Sequence, residues 1–400
     1  MKITHIHIER FRGFQNEDFE VGSLLTAIAG QNGTQKSTLL GIITQTFTLK
    51  TEDSMRVEKP LCGGSYISAF KDKFRLSPTF DKPKGHEWTI SFDAGMDDFT
   101  VESIKRTGDP NVRFWKKGAR QEGDGYISFP TIFLSLKRLV PVAEEAKIIT
   151  DDTLLTQEEL NEFKQLHNKI LIAQTPISSA TTITSKNKQS IGVSTELYDW
   201  NQNSMGQDNL GKIILALFSF KRLHDKYPRQ YKGGILAIDE MDATMYPASQ
   251  VELLKVLRKY ASKLNLQILF TTHSMSLLKA MDDLVQEVTK KEETANQAKI
   301  LYLKKVDDKI AIKQGVNFKG IQLDLNVVAE GNNRKKNRIT AYTEDKENIL
   351  FVKAILKSKA FVLDFVDVTL PCSTLMELVT KRVPAFISVS YTHLTLPTNS

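Results

Sequence analysis

Leu24-Leu-Thr-Ala-Ile-Ala-Gly30-Gln31-Asn32-Gly33-Thr34-Gln35-Lys36-Ser37-Thr38 is an apolar run of strand length that stops at a glycine and enters a loop ending in Lys-Ser. A continuous apolar run of this kind is what a strand covered on both faces looks like. The loop fits G-x-x-x-x-G-K-[ST], except that Gln35 stands where the second glycine is usual. Such a loop wraps backbone N–H groups around a phosphate at a helix N-terminus, whose dipole favours negative charge. Lys36 would reach the outer phosphates and the Ser37 hydroxyl would ligate Mg2+. The relaxed pattern alone equally describes a glycine-rich turn with an exposed lysine, so its surroundings must decide.

Two further stretches supply those surroundings. Gly233-Gly-Ile-Leu-Ala-Ile-Asp239-Glu240 is a second buried strand ending in two acids, and Gln267-Ile-Leu-Phe-Thr-Thr-His273-Ser274 is a third ending in a histidine. An aspartate at a strand end can hold Mg2+, and a neighbouring glutamate can orient or deprotonate an attacking water. His273 would stand at the same sheet edge, beside the same phosphate. Leu210, Ile213, Ile214, Leu217 and Phe218 fall on one helical face and predict an amphipathic helix capped by Ser204. Ser249 with Glu252 predicts the cap of another helix, and Thr156 with Glu159 a third. Strands alternating with helices imply a mainly parallel sheet, so the fold class is α/β.

In chain order, Gly30–Ser37, Ser204-Met-Gly206-Gln207, Asp239-Glu240-Met-Asp242 and Thr272-His273-Ser274 resemble the Walker A, signature, Walker B with D-loop, and switch-histidine motifs of ABC-type ATPases. The opening Phe11-Arg-Gly-Phe14 is similar to that of the SMC-like branch. Within that branch the chain resembles ATPases of bacterial antiphage systems, the overcoming-lysogenisation-defect family and the Septu ATPase subunit. The resemblance covers residues 1 to 320. It implies ATP and Mg2+ as cofactors: Gly30, Gln31, Asn32, Gly33, Thr34, Gln35, Lys36, Ser37 and Thr38 around the triphosphate, Ser37 and Asp239 on the metal, and Lys36, Glu240 and His273 as catalytic residues. It further implies a homodimer that sandwiches ATP, with Ser204, Gly206 and Gln207 meeting the γ-phosphate bound by the partner head. Three positions depart from the family pattern: Gln35, Met205 in the first glycine slot of the signature, and Tyr246 in the D-loop region. The Q-loop glutamine has no assigned position; residues 134–138 are its candidate region.

Composition sets outer limits. Of the 400 residues 41% are apolar and 25% charged, which excludes a disordered or fibrous chain. A net charge of +7 and a pI near 9.0 are compatible with nucleotide or nucleic-acid partners. Cys62 and Cys372 are far apart, with no CxxC, so a disulfide scaffold or cysteine zinc site is not expected. No stretch reaches the ~20 apolar residues of a membrane span, and Met1–Arg10 lacks the apolar core of a signal peptide. The expectation is a cytoplasmic protein with no membrane contact.

Residues 1–330 are read as the ATPase domain, with a strand-rich antiparallel arm at 51–140 and a helical insertion and loop at 143–200. Within that insertion 144–174 favours helix, and the Ser/Thr-rich 175–192 predicts a surface loop. A basic linker follows at 331–340, where Arg334, Lys335, Lys336 and Arg338 offer a DNA contact. Residues 341–387 form a partial TOPRIM-like or accessory α/β segment; the resemblance there makes Glu344 a general base or metal ligand. From Val383 to Ser400 no Asp, Glu, Lys or Arg occurs, and 388–400 resembles sequencing-adapter read-through. The expectation is that 388–400 is non-native and that the protein is cut short there.

The function read from these features is Mg-dependent ATP hydrolysis coupled to head dimerisation. The family resemblance adds control of a nuclease, a partner or the chain's own missing domain, in antiphage defence. Two alternatives stand beside it: an ATP-bound clamp that does not hydrolyse, and a DNA-repair ATPase of the same fold.

Overall fold

Three fully buried apolar runs build the centre of the principal sheet, because a strand with helices or another sheet on both faces has no polar side to show. The computed structural model describes residues 1–66, 73–77, 79–93, 95–105, 112–119, 125–139, 148–151, 154–173, 175–184, 189–330, 339–357, 360, 363–369 and 371–381. It divides into two compact units, Met1–Leu323 and Asp324–Ser400.

The first unit opens with β1 (Ile3–Phe11), β2 (Phe14–Glu20), β3 (Leu25–Gly30), α1 (Lys36–Thr44) and β4 (Phe47–Thr48). There follow β5 (Glu87–Phe92), β6 (Phe99–Lys105), β7 (Val112–Lys116), β8 (Ile127–Ser128), β9 (Thr131–Leu134) and β10 (Ile149–Asp151). Then come α2 (Gln157–Leu171), β11 (Ser179–Thr184), β12 (Gln189–Ser194), α3 (Met205–Lys226), β13 (Gly234–Ile238) and α4 (Pro247–Lys263). The last elements are β14 (Leu266–Thr271), α5 (Met275–Val288), β15 (Ala298–Val306), β16 (Lys309–Lys313) and α6 (Phe318–Glu330), inside which the division between units falls.

The six-stranded sheet has the order β16-β15-β3-β14-β13-β9. All neighbours are parallel except the β15/β16 edge. A five-stranded antiparallel sheet, β2-β1-β5-β6-β7, shares its core with the six-stranded one. Its centre is aromatic: the Phe11 ring lies 5.3 Å from Phe74, 4.6 Å from His86, 5.7 Å from Trp88 and 5.5 Å from Phe114. The α/β class with a mainly parallel sheet and an antiparallel arm is therefore what the chain forms. The arm borrows β1 and β2 from the N-terminus, however, and gives β9 to the principal sheet.

Three local expectations are corrected. Of the helix expected over 144–174, the described residues form a strand at Ile149–Asp151 and a helix at Gln157–Leu171, started by the Thr156–Glu159 capping box; 144–147 lie outside the described residues. The Ser/Thr-rich 175–192 is not simply a loop: β11 and β12 pair antiparallel there and β10 joins them. Thr182, Ile183, Ile191 and Val193 are buried in this small sheet, because β-branched threonines suit a pleated surface as well as isoleucine does. Helix α4 is not capped by Ser249. It starts at Pro247, whose fixed φ suits the first helical position, with Tyr246 as N-cap. Residues 331–338 of the basic linker and the uncharged end 383–400 lie outside the described residues.

Helix α2 is pinned to the principal sheet's own helices. Arg222 of α3 donates from Nε and Nη2 to Glu159 at 2.7 and 2.6 Å, a fork-to-carboxylate geometry. Glu162 accepts from Lys221 at 2.5 Å and from the Tyr260 hydroxyl of α4. The Tyr246 hydroxyl donates to the Leu171 carbonyl at the far end of α2.

In the second unit β17 (Ile339–Thr343), α7 (Lys346–Leu356), β18 (Leu363–Thr369) and α8 (Cys372–Thr380) follow, with β17 and β18 parallel. Asp345 caps α7 by accepting from the Asn348 N–H at 2.7 Å.

Candidate functional site

Strands β3, β14 and β13 are adjacent and parallel, so their C-terminal ends open at one sheet edge, where α/β sheets bind ligands. Each end delivers one of the expected motifs. Gly30 ends β3 at φ +149°, and a Cβ there would come within 2.3 Å of the Leu303 carbonyl, so only glycine fits. Gly33 adopts φ +78° with open space around it, which makes its requirement conformational. Asn32, Gly33 and Ser37 are exposed while Lys36 is buried.

Lys36 Nζ donates to the Gly30 carbonyl at 3.0 Å and the Gln31 carbonyl at 2.8 Å, holding the loop closed upon itself. Thr34 Oγ1 donates to the Gln31 carbonyl at 2.8 Å. Burial brings the Lys36 ammonium down to about 8, against the pull of Glu240, Asp239 and Asp242. The Ser37 hydroxyl donates to Asp239 Oδ1 at 2.8 Å, and the Thr271 hydroxyl donates to the same oxygen at 2.7 Å. Thr271 Oγ1 also accepts from the Glu240 N–H at 2.6 Å. One threonine on the middle strand thus fixes both acids of the neighbouring strand. Glu240 itself sits at φ +50°, the left-handed region.

A hydroxyl and a carboxylate oxygen 2.8 Å apart are two hard oxygen donors, leaving the other positions of a small dication to phosphate oxygens and water. The donor set therefore fits Mg2+ held together with a phosphorylated ligand.

Gln35 is the N-cap of α1 with φ 61° and ψ 32°, a conformation glycine adopts without cost. Its amide lies against Gly13, and its Oε1 is buried without a hydrogen-bond partner. A left-handed conformation costs an L-residue about 1–2 kcal/mol, whereas glycine adds about 0.5–1 kcal/mol of chain entropy to the unfolded state. Gln35→Gly is accordingly expected to stabilise the fold by roughly 0.5–1 kcal/mol in urea titrations. Destabilisation by more than that amount would mean that the Gln35 contacts outweigh the strain.

His273 stands at the end of β14 with its N–H pointing at both Asp242 oxygens, 3.3 and 3.4 Å away. Partial desolvation and the Lys36 charge hold its ring below the ordinary histidine range, against Asp242, Glu240 and Asp239. Its imidazole is therefore neutral at neutral pH.

Ser204, Gly206 and Gln207 start α3 on the D-loop side. Ser204 and Gln207 form a reciprocal capping box, with Ser204 N to Gln207 Oε1 at 2.8 Å and Gln207 N to Ser204 Oγ at 3.3 Å. Gln207 Nε2 donates to the Tyr198 hydroxyl at 2.7 Å. A Cβ on Gly206 would lie 2.5 Å from the Thr244 carbonyl, so glycine is demanded there by close packing. Among the described residues no hydrogen bond joins these three to the Gly30–Thr38 loop. Ser204 and Met205 are exposed.

Two arginines at the site carry no role in the sequence reading. Arg12 reaches Thr38 Oγ1 at 3.4 Å from Nη1 and is clamped by Asp81, with Nε to Oδ1 and Nη2 to Oδ2 both at 3.0 Å. Burial opposes the Asp81 charge, but Arg12, the Ser77 N–H and His86 outweigh it and bring the carboxyl to about 2. Arg138, inside the candidate Q-loop region 134–138, donates from Nη2 to the Glu240 carbonyl at 2.8 Å. Arg12 was visible in the Phe11-Arg-Gly-Phe14 motif. Arg138 lies in the short 3-10 turn Leu136–Leu139 that follows β9, and its place shortly after an apolar strand is the signal it leaves.

Residues 134–278 match the family model of the AAA ATPase domain. That stretch holds the signature, Asp239-Glu240 and His273, but not the Gly30–Ser37 loop. Among solved structures the chain is similar to the SMC head domain from Thermotoga maritima, at 14% identity and a TM-score of 0.44, over 79% of this chain and 100% of that one. It is similar to an SmcHead bound to the C-winged helix domain of ScpA, at 14% identity and a TM-score of 0.45, over 80% and 100%. A third is an Smc head with an extended coiled coil bound to the C-terminal domain of ScpA derived from Pyrococcus furiosus, at 11% identity and 0.42, over 82% and 99%. No curated protein matches the chain.

Proposed function

We propose that the chain binds ATP with Mg2+ in the Gly30–Thr38 loop and hydrolyses it, a second copy completing the site. The observation that carries this reading is the Ser37–Asp239 contact of 2.8 Å, which places a hydroxyl, a carboxylate and the Lys36 ammonium at one sheet edge. The AAA ATPase domain match over 134–278 supports the same chemistry. Mg2+, when bound, supplies charge neutralisation at the phosphate oxygens. Ser37 and Asp239 are the side chains that would hold it. Loop N–H groups and Lys36 bind and orient the phosphates, and Glu240 accepts the proton of the attacking water. His273 donates a ring N–H hydrogen bond to the terminal phosphate. Exposed Ser204 and Met205 favour dimerisation through the signature end of α3.

Single-turnover hydrolysis by the purified chain, with and without EDTA, and by Lys36→Ala tests this reading. Expected is hydrolysis abolished by chelation and by the substitution; equal rates in all three would overturn it. Because burial brings the Lys36 ammonium down to about 8, bound phosphate has to hold its proton above that pH. ATP affinity is expected to stay level below pH 8 and then to fall by about tenfold per pH unit. Calorimetric titration from pH 6.5 to 9.5 checks this, and a flat profile contradicts it.

Gln35 favours a second reading, a clamp that binds ATP and barely turns over, since a side-chain-bearing residue holds the left-handed position at which glycine would let the backbone approach the phosphates most closely. The biological role carried over from the family resemblance is control of a nuclease in antiphage defence, in the cytoplasm. Glu344 directly follows β17, the strand-end position a TOPRIM-like metal ligand needs.

A further inference from the structure

Arg138 is only 2% exposed, and the hydrogen bonds of its guanidinium all go to neutral acceptors. Nε donates to Asn209 Oδ1 at 2.7 Å, and Nη1 to the Leu134 and Ser135 carbonyls at 3.3 and 3.1 Å. Nη2 donates to the Glu240 carbonyl at 2.8 Å. Burial opposes the Arg138 charge more than the nearby Asp239, Glu240 and Asp242 support it, so stability is a poor reason for placing a cation there. What a guanidinium offers is a rigid planar fork with fixed donor directions. Asn209 extends the connection, because its Nδ2 donates to the Ala243 carbonyl at 2.9 Å. It lies in the early turns of α3, shortly after the signature residues, and Gly206 of that helix already packs on Thr244. The end of β9, the start of α3 and the turn carrying Glu240 are therefore held by one polar chain.

We propose that Arg138 and Asn209 are positioning residues that tie the signature helix to the Glu240 backbone, so that Glu240 takes its hydrolytic orientation when the start of α3 engages the partner head. This rests on the ATPase reading above. None of these hydrogen bonds reaches the Gly30–Thr38 loop, so ATP binding by one head is expected to change little when they are lost.

The test uses the full chain with Asn209→Asp and Arg138→Lys, each alone and combined with Glu240→Gln. Asn209→Asp keeps the volume and the acceptor for Arg138, pairs the buried guanidinium with a carboxylate, and replaces the donor to the Ala243 carbonyl by an acceptor that repels it; it cuts the link to the Glu240 turn independently of Arg138→Lys. With melting temperature recorded, ATP affinity is expected to stay within about twofold, while single-turnover hydrolysis falls by about 10- to 100-fold, the size of a roughly ångström-scale misplacement. In the Glu240→Gln background the same substitutions should change the residual rate by less than about twofold, since residues acting as one unit are not additive. Equal losses in both backgrounds, or unchanged rates in the wild-type background, overturn the relay alone. Absence of hydrolysis by the unmodified chain removes the ATPase reading and the relay with it.

Discussion

Glu240→Gln is expected to lower single-turnover ATP hydrolysis by about 10²- to 10³-fold, within the range that a positioned general base contributes. The substitution is close to isosteric and leaves the main chain alone. The Glu240 N–H still meets Thr271 Oγ1 at 2.6 Å, and its carbonyl still accepts from Arg138 at 2.8 Å. Loop, hydroxyl and Asp239 are untouched, so ATP affinity is retained. Removing a negative charge beside a bound triphosphate should also lengthen the life of an ATP-dependent dimer. Rapid-quench kinetics together with light scattering separates the outcomes. A trapped dimer with little turnover supports the assignment. Wild-type turnover by the variant would remove Glu240 from the role of base, and dimerisation without turnover by both proteins would leave the clamp.

Phe11→Ala is expected to destabilise the fold by about 3–5 kcal/mol, the usual cost of emptying a large aromatic site in a core. Phe11 is fully buried and touches Phe74, His86, Trp88 and Phe114, so little can collapse into the space. Trp88→Phe offers the contrast. Trp88 is equally buried, but its Nε1 has no hydrogen-bond partner, so the replacement trades lost area against a relieved polar orphan. That change should cost less than about 1.5 kcal/mol. Urea unfolding measures both. A Phe11→Ala cost below that of Trp88→Phe would mean that the aromatic cluster is not the centre of this core. Because Arg12 follows Phe11 directly and reaches Thr38, the same variant should also loosen the loop's outer wall.

The parts of the site legible in the sequence are those written in consecutive residues. Gly30–Ser37, Asp239-Glu240 and His273 each follow an apolar run whose both-face burial can be read without knowing its neighbours, and the structure sets these three strand ends side by side. Arg138 was not legible, because its partners are a distant amide and three carbonyls, and carbonyls are present at every residue. The β11–β12 hairpin was hidden by composition: serine and threonine signal loops on average, yet Thr182 is buried on a pleated surface beside Ile183. The α4 start was displaced because Ser249-x-x-Glu252 imitates a cap, while Pro247 already determines where the helix begins.

The place of β3 in the sheet has a consequence for how the protein is made. Its hydrogen-bonding neighbours are β14 and β15, whose residues leave the ribosome long after Gly30 does. At about 5–20 residues per second the phosphate loop waits on the order of ten seconds or more for the strands that define it. During that interval an apolar strand with two open edges must be shielded, and no nucleotide can help it fold. Ribosome-held chains ending before Leu266 should therefore be protease-sensitive across Leu25–Ser37 with or without ATP, and those that have released Val306 should be protected. The Gly30–Thr38 loop is thus among the first segments synthesised and among the last to gain both neighbouring strands.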